Sequence, residues 1–327
     1  SALPQSEQTI ITRYVPNNKN PRHASGIFLL TGKIVFYSNN LFQVSTVKII
    51  ECPRDAMQGL KGFIPTEKKI EYLNALLKVG FHTLDCGSFV SDKAIPQMAD
   101  TRVVIPNLNL DDTNTRLSVI VGNKRGAEAA CELDEITYLG YPFSISETFQ
   151  QRNTNCSIED SLARVDEIMN IAECSGKTFV CYISMAFGNP YGDFYNAALV
   201  EHWVDRLLEM GITKFSISDT IGAATPELIT EVFNTLSADF PEIGFGAHFH
   251  TTPDTWREKV ETAWEAGCSR FDGAIKGFGG CPMAKDSLTG NMPTENLLAY
   301  FEENNIAHNL DKEAFANAMR IANTIFV

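Results

Sequence analysis

The chain has 327 residues, 44% hydrophobic and 20% charged, the balance of an ordinary globular protein rather than a disordered or fibrous one. Its formal charge of -13 provides no basic footprint, which argues against nucleic acid or an anionic membrane as a partner and favours small molecules. Eight cysteines contain no C-x-x-C pair and no dense framework, so free thiols in a reducing cytoplasm are expected, and no apolar run reaches the roughly 20 residues that span a bilayer.

Residues 1–46 read as an N-terminal extension. A loop cluster at 17–21 is followed by two apolar runs, 27–30 and 34–37, flanking Thr31-Gly32-Lys33 as a hairpin. The run at 26–30 is interrupted by Gly32 and Lys33 with no A-x-A site after it, so a signal peptide is not expected.

From Val47 one unit recurs: a short β-branched or aromatic run, a loop, an amphipathic helix, a glycine and another run. A helix at 66–79 opens at Thr66 after Pro65, carries Ile70, Leu73, Leu76 and Leu77 on one face and stops at Gly80. The same joint recurs where helices end at Gly211 and Gly267 and strands run out to Asp219 and Asp272. Strands are expected at 47–51, 81–85, 117–121, 135–139, 178–184, 213–217, 244–250 and 270–275. Eight such units predict a closed (β/α)8 barrel, a TIM barrel spanning 47–327, with an open doubly wound sheet as the second choice. The second crossover is the weakest, because Pro106 and the polar run around it leave little helix between strands two and three.

In such a barrel the active site lies where strands deliver their C-terminal ends, and polar residues collect there: Arg54, Asp55, Asp85, Ser88, Tyr182, Ser184, Asp219, His248 and His250. The stretch "GAHFHT" places His248 and His250 two apart on one strand, so both rings share a face. Imidazole and oxygen donors without thiolates suit an octahedral divalent ion, while a strand-period pair without a ligand remains the alternative. The segment "KGFGGCPMAKDSLTGN", 276–291, carries too many glycines for a regular helix and lacks the P-loop pattern. It reads either as a lid bearing Cys281 or as a long surface turn.

Six ordered stretches, "VKIIECPRDAMQG", "SFVSDKAIPQMADT", "NTNCSIEDS", "SDTIGAATP", "GAHFHT" and "GFGGCPMAKDSLTGN", resemble those of the 3-hydroxy-3-methylglutaryl-CoA lyase family of metal-dependent TIM-barrel enzymes, over residues 47 to 310. The resemblance implies cleavage of that thioester, or a close acyl-CoA, to acetyl-CoA and acetoacetate. It implies a Mg or Mn ion held by Asp55, His248, His250 and Asn291, Arg54 against enolate charge and Cys281 in proton transfer. Asp85 and Asp219 fall at catalytic or supporting positions, and Gln58, Ser88 and Tyr182 at substrate-contacting ones. A homodimer is implied by the same analogy. The chain departs from the family pattern at Ala56 and Met57 after the Arg-Asp pair, at Asp85 in place of glutamate and at Thr251 after the second histidine. Between Cys281 and Asn291 it is one residue longer than the pattern.

Two other readings follow from the same residues. One is a related metal-dependent aldolase or a Claisen-type acyltransferase on a 2-oxo acid; the end of the chain at Val327 disfavours the synthase branch, and Lys214, at a strand's start, is the best candidate for a Schiff base. The other is a barrel that binds a metal without catalysis.

Overall fold

The structure is a computed structural model and describes residues 25–30, 33–38, 46–280 and 289–326. Two units are present, 1–45 and 46–327. In the first, Ser25–Leu30 and Lys33–Ser38 pair antiparallel, with Leu30 opposite Lys33, as the hairpin reading expects.

The second unit is a closed barrel of eight parallel strands: β1 (Lys48–Glu51), β2 (Thr83–Ser88), β3 (Arg116–Ile120), β4 (Ile136–Ser144), β5 (Thr178–Ser184), β6 (Phe215–Asp219), β7 (Phe245–Thr251) and β8 (Arg270–Gly273). Each pairs with its neighbour in sequence, and β8 closes on β1 through Asp272 opposite Ile50. All eight expected strands are present, and the doubly wound alternative is ruled out by this closure.

Boundaries differ where turn-forming residues sit inside strands. β4, expected at 135–139, runs on to Ser144 through Gly140 and Pro142. A side chain at Gly140 would strike Ile120 and Tyr182 at 2.8 and 2.9 Å, so the glycine admits close strand packing rather than ending the strand. The helix expected at 66–79 is Thr66–Leu77, and Gly80 follows it in the left-handed region at φ +87°, as do Gly211 and Gly267 after their helices. The second crossover is built of short pieces, Pro96–Met98, Thr101–Val104 and Ile105–Asn107, as the polar run and Pro106 lead one to expect.

Strand parity sorts the side chains. On β6, Ser216 and Ser218 line the barrel interior while Phe215, Ile217 and Asp219 face the helical shell, where large side chains such as Phe215, Phe233 and Phe249 are fully buried. The apolar core therefore lies between strands and helices, and the barrel axis is left to polar groups.

Candidate active site

The helix Pro53–Gln58 follows β1 directly and presents Arg54, Asp55 and Gln58 over the C-terminal mouth of the barrel. Proline at its first position suits a helix start, since its missing N–H needs no partner there. Arg54, 8% exposed, uses every side of its guanidinium. Nε donates to both oxygens of Asp85 at 3.3 and 3.1 Å and Nη2 to Oδ2 at 2.5 Å, while Nη1 reaches Asp55 Oδ1 at 3.1 Å and Gln58 Oε1 at 2.8 Å. Burial opposes its charge, but Asp85 and Asp55 outweigh that and hold it firmly protonated. Burial pushes the Asp85 carboxyl up, against the pull of the same guanidinium.

Asp55 is the hub. Its Oδ1 also accepts from Gln58 Nε2 at 2.5 Å, and Oδ2 accepts from Asn291 Nδ2 at 2.9 Å and stands 3.8 Å from His248 Nε2. Burial raises its pKa, yet Arg54, both histidines and Asn291 together hold it below the usual carboxylate range. His248 and His250 project from β7 on one face, ring centroids 5.4 Å apart. Asn291 arrives there because Gly290–Asn291 pairs antiparallel with the end of β7, Asn291 opposite His250. Gly279, at φ +113°, lies so close over Asp55 and the Asn291 amide that any side chain would collide with them.

Potential ligand atoms of Asp55, His248 and His250 lie within 4.8 Å of one another. Burial, then the neighbouring His248, pushes His250 down to about 4, so its imidazole is neutral with a lone pair to offer. The Asn291 Oδ1 makes no hydrogen bond among the described residues. Two imidazoles, a carboxylate and an amide oxygen fit a hard divalent cation. Cys52 also lies near His248 and Asp272, but burial and then the Asp272 charge raise its thiol far above the ordinary value, which leaves it protonated and unsuited as a ligand.

Above this floor opens a cavity of about 480 Å3, the size of a small-molecule site. Arg54, Asp55, Gln58, Tyr182, His248 and His250 line it, with Asn123, Asn155, Arg164, Ser184, Ser218 and Thr220 as further polar groups and Ile95, Ile120 and Phe149 on its apolar wall.

A scan of protein families matches the HMGL-like family over residues 46–323, 278 of the chain's 327 residues. The chain belongs to the HMGL-like family. This HMGL-like protein is 35% identical over 255 residues to cytoplasmic 3-hydroxy-3-methylglutaryl-CoA lyase of Danio rerio, covering 77% of this chain and 75% of the relative. It is 34% identical over 270 residues to hydroxymethylglutaryl-CoA lyase YngG of Bacillus subtilis, covering 82% and 89%. The solved HMG-CoA lyase of Bacillus subtilis superposes with a TM-score of 0.81 at 32% identity, covering 86% and 94%. That of Acinetobacter baumannii, solved with coenzyme A and 3-methylmalate, gives 0.81 at 29%, covering 86% and 92%. HMGL-like proteins depend on a divalent metal, and the donor set above fits one; the fold and the lyase class follow from the same relatives.

Of the residues singled out in the sequence, Arg54, Asp55, Gln58, Tyr182, His248, His250 and Asn291 come together. Asp85 touches the group only through Arg54 and is fully buried behind it. Ser88 does not line the cavity: its hydroxyl accepts from the Val90 amide at 3.2 Å. Asp219 faces outward, salt-bridged to Lys259 at 2.6 Å and accepting from the amides of Ala223 and Ala224. Strand parity explains it, since Ser216 and Ser218 point inward. Cys281 lies outside the described residues. Two supporting residues escaped the sequence reading. Asp272 on β8 accepts from Nδ1 of His248 at 3.1 Å and from the Ser216 hydroxyl at 3.0 Å, and burial's pull on His248 is overcome by this carboxylate, which raises its pKa. Lys259 links Asp219 to the backbone carbonyls of Gly222 and His250.

Proposed function

We propose that this protein is a metal-dependent carbon–carbon lyase that cleaves 3-hydroxy-3-methylglutaryl-CoA to acetyl-CoA and acetoacetate. The observation that carries this reading is the convergence of Arg54, held by Asp85 and Gln58, on the same carboxylate, Asp55, that stands with His248 and His250 at the cavity floor. Relatives named as hydroxymethylglutaryl-CoA lyases over most of the chain support it.

The reaction breaks one C–C bond: the tertiary hydroxyl loses its proton and becomes a ketone, and the electron pair passes into the thioester enolate of acetyl-CoA, which is then protonated at carbon. A divalent cation held by Asp55, His248, His250 and Asn291, Mg or Mn in our reading, supplies Lewis acidity toward the substrate oxygens. Arg54 meets the developing enolate oxygen with a guanidinium that Asp85 and Gln58 have already oriented, which spares reorganisation at the moment of reaction. Tyr182 stays a neutral phenol, its pKa raised far above the ordinary value by burial and then Asp272, and stacks edge-on to His248 at 5.8 Å as a wall of the site. Asp272 fixes the tautomer of His248 so that Nε2 faces Asp55. Cys281 is our proposed proton donor to the enolate, and Gln58 a substrate contact. Ser88 and Asp219 act in this reading through the backbone they hold. The barrel from 47 onward is the catalytic unit and 1–46 an extension.

We place the enzyme in the cytoplasm, working as a homodimer; no helix among the described residues is long and apolar enough to cross a membrane, and relatives include cytoplasmic and mitochondrial lyases. A screen of 3-hydroxy-3-methylglutaryl-CoA and neighbouring 3-hydroxyacyl-CoA thioesters with Mg, Mn, Co and Zn tests the assignment. Fastest acetyl-CoA release from the first, with Mg or Mn, is expected; turnover confined to a 2-oxo acid would replace it with the aldolase or acyltransferase reading. Cell fractionation and light scattering check compartment and assembly.

A further inference from the structure

The end of the barrel opposite the metal ligands carries charge that the lyase chemistry does not use. All eight strands start there, and cations stand at their first positions: Lys48 opens β1, Arg116 opens β3 and Arg270 opens β8, while Lys214 and His82 immediately precede β6 and β2. His82, Lys214 and Arg270 are half-buried and line a cavity of about 40 Å3 together with Thr83, Ser118 and Tyr138, and with Tyr182, Ser216 and the buried carboxylate of Asp272 also in its wall. Arg116, exposed beside it, donates to the Tyr138 hydroxyl at 3.0 Å, and the Lys214 ammonium lies 5.9 Å from the centre of the Tyr138 ring. Arg270 is anchored by the Phe215 carbonyl and lies directly beneath Gly246, where any side chain would strike it.

None of these four lysines and arginines is ion-paired among the described residues, whose salt bridges all lie elsewhere. In a chain of net charge -13 this is a local excess of positive charge, set against one carboxylate, Asp272, in the cavity wall. His82 Nδ1 pairs with the Thr83 hydroxyl at 2.8 Å, and burial first, then the cations Lys48, Arg116, Arg270 and Lys214, push its imidazole down to about 4. Lys214 is lowered by burial and then by Arg270 and Arg116, with no carboxylate pulling the other way. Holding like charges together costs stability unless something of opposite sign offsets them.

We propose that this cavity at the strand N-termini is a binding site for a phosphate group, free or as the head of a phosphomonoester, which holds none of the metal ligands and meets the metal-centred site only at Tyr182 and Asp272. The space holds roughly three water-sized atoms, enough for the leading oxygens of a tetrahedral dianion while its remainder faces solvent. Lys214 and Arg270 supply charge at the wall, Arg116 and Lys48 at the rim, and the hydroxyls of Thr83, Ser118 and Tyr138 with the His82 ring supply the remaining hydrogen bonds. Charge-assisted bonds of this kind are the strong ones, so two cations removed in turn should each weaken binding by at least about tenfold.

Calorimetric titration of the metal-loaded full chain with inorganic phosphate, and separately with glycerol 3-phosphate, tests the site, repeated on Lys214→Gln, Arg116→Gln and Asp55→Asn. The expected result is one site in the parent, retained in Asp55→Asn and weakened tenfold or more in both cation variants, whose lyase turnover in phosphate-free buffer is unchanged. Binding of both ligands assigns a phosphomonoester head-group site, and binding of phosphate alone a free-phosphate site. Phosphate should also raise the Tm of the parent and not that of Lys214→Gln, which folds at least as stably because repulsion is relieved. Heat lost only in Asp55→Asn would put the anion at the metal centre and overturn the proposal. So would no binding by the parent at about 10 mM phosphate, or tighter binding of citrate than of phosphate.

Discussion

Asp272 Oδ2 lies 3.1 Å from Nδ1 of His248 and 3.0 Å from the Ser216 hydroxyl, so a buried carboxylate holds the back of the imidazole whose front faces Asp55. Outer partners of this kind usually contribute 10- to 100-fold to metal affinity. Asp272→Asn should therefore weaken Mn binding by about that factor with the fold intact, as read by competition against a chelating dye. Affinity equal to the parent's would show that His248 is oriented by something else.

Arg54 depends on Asp85 for its aim. Asp85→Asn keeps the shape but offers one acceptor where the guanidinium now finds two, and Arg54→Lys removes the fork altogether. Each should lower kcat by about 10²- to 10³-fold, the usual loss when one preorganised donor to a developing oxyanion goes. Metal affinity measured on the same preparations should change only a few-fold, which separates this effect from loss of the ion.

Much of this arrangement was legible in the residues. The helix–glycine–strand joint at Gly80, Gly211 and Gly267 marks parallel crossovers, and the two-residue spacing of His248 and His250 forces both rings inward once they lie on a strand. Parity within a strand needs its phase, and that is why Asp219 reads as a site residue until Ser216 and Ser218 are seen to take the interior. Asp272 carries the same parity signal as His248, its partner in register, yet a carboxylate at a strand end is too common to stand out alone. Lys259 was hidden because a lysine on a helix normally faces water; here it is 2% exposed. Asn291 was named through the family resemblance alone, because what brings it to the site is the antiparallel pairing of Gly290–Asn291 with β7, a long-range contact with no local pattern.

Lys259 sits in a network with no slack. Its ammonium binds Asp219 Oδ2 at 2.6 Å and the carbonyls of Gly222 and His250 at 2.9 and 3.0 Å. Breaking a buried pair from one side leaves the other charge stranded, typically at 3–5 kcal/mol. Lys259→Met should destabilise the barrel by about that amount in urea, and adding Asp219→Asn should recover part of it. A loss of less than about 1 kcal/mol would mean water replaces the ammonium.

Glu51 predicts a pH effect outside the active site. Burial pushes its carboxyl from 4.5 to about 8, although Thr294 donates to Oε2 and the Ile275 amide to Oε1. The native state thus keeps a proton that the unfolded chain has released, so the contribution is fully present below pH 4.5 and is lost as pH rises toward 8. Glu51→Gln removes the charge and keeps both partners, the Ile275 amide donating to the amide oxygen and the Thr294 hydroxyl turning to accept from the amide nitrogen. Its stability should match the parent's near pH 5 and exceed it at pH 9; a constant difference across that range would place Glu51 in its ionised form throughout.

In the proposed reaction Asp55, His248, His250 and Asn291 hold the cation on which Arg54-assisted C–C cleavage depends. Acetoacetate release from 3-hydroxy-3-methylglutaryl-CoA by chelated and then Mn-reloaded protein, alongside His248→Ala treated identically, tests it most directly. Activity should vanish on chelation, return with Mn in the parent and stay absent in the variant. Turnover that survives chelation, or full activity in His248→Ala, would contradict it.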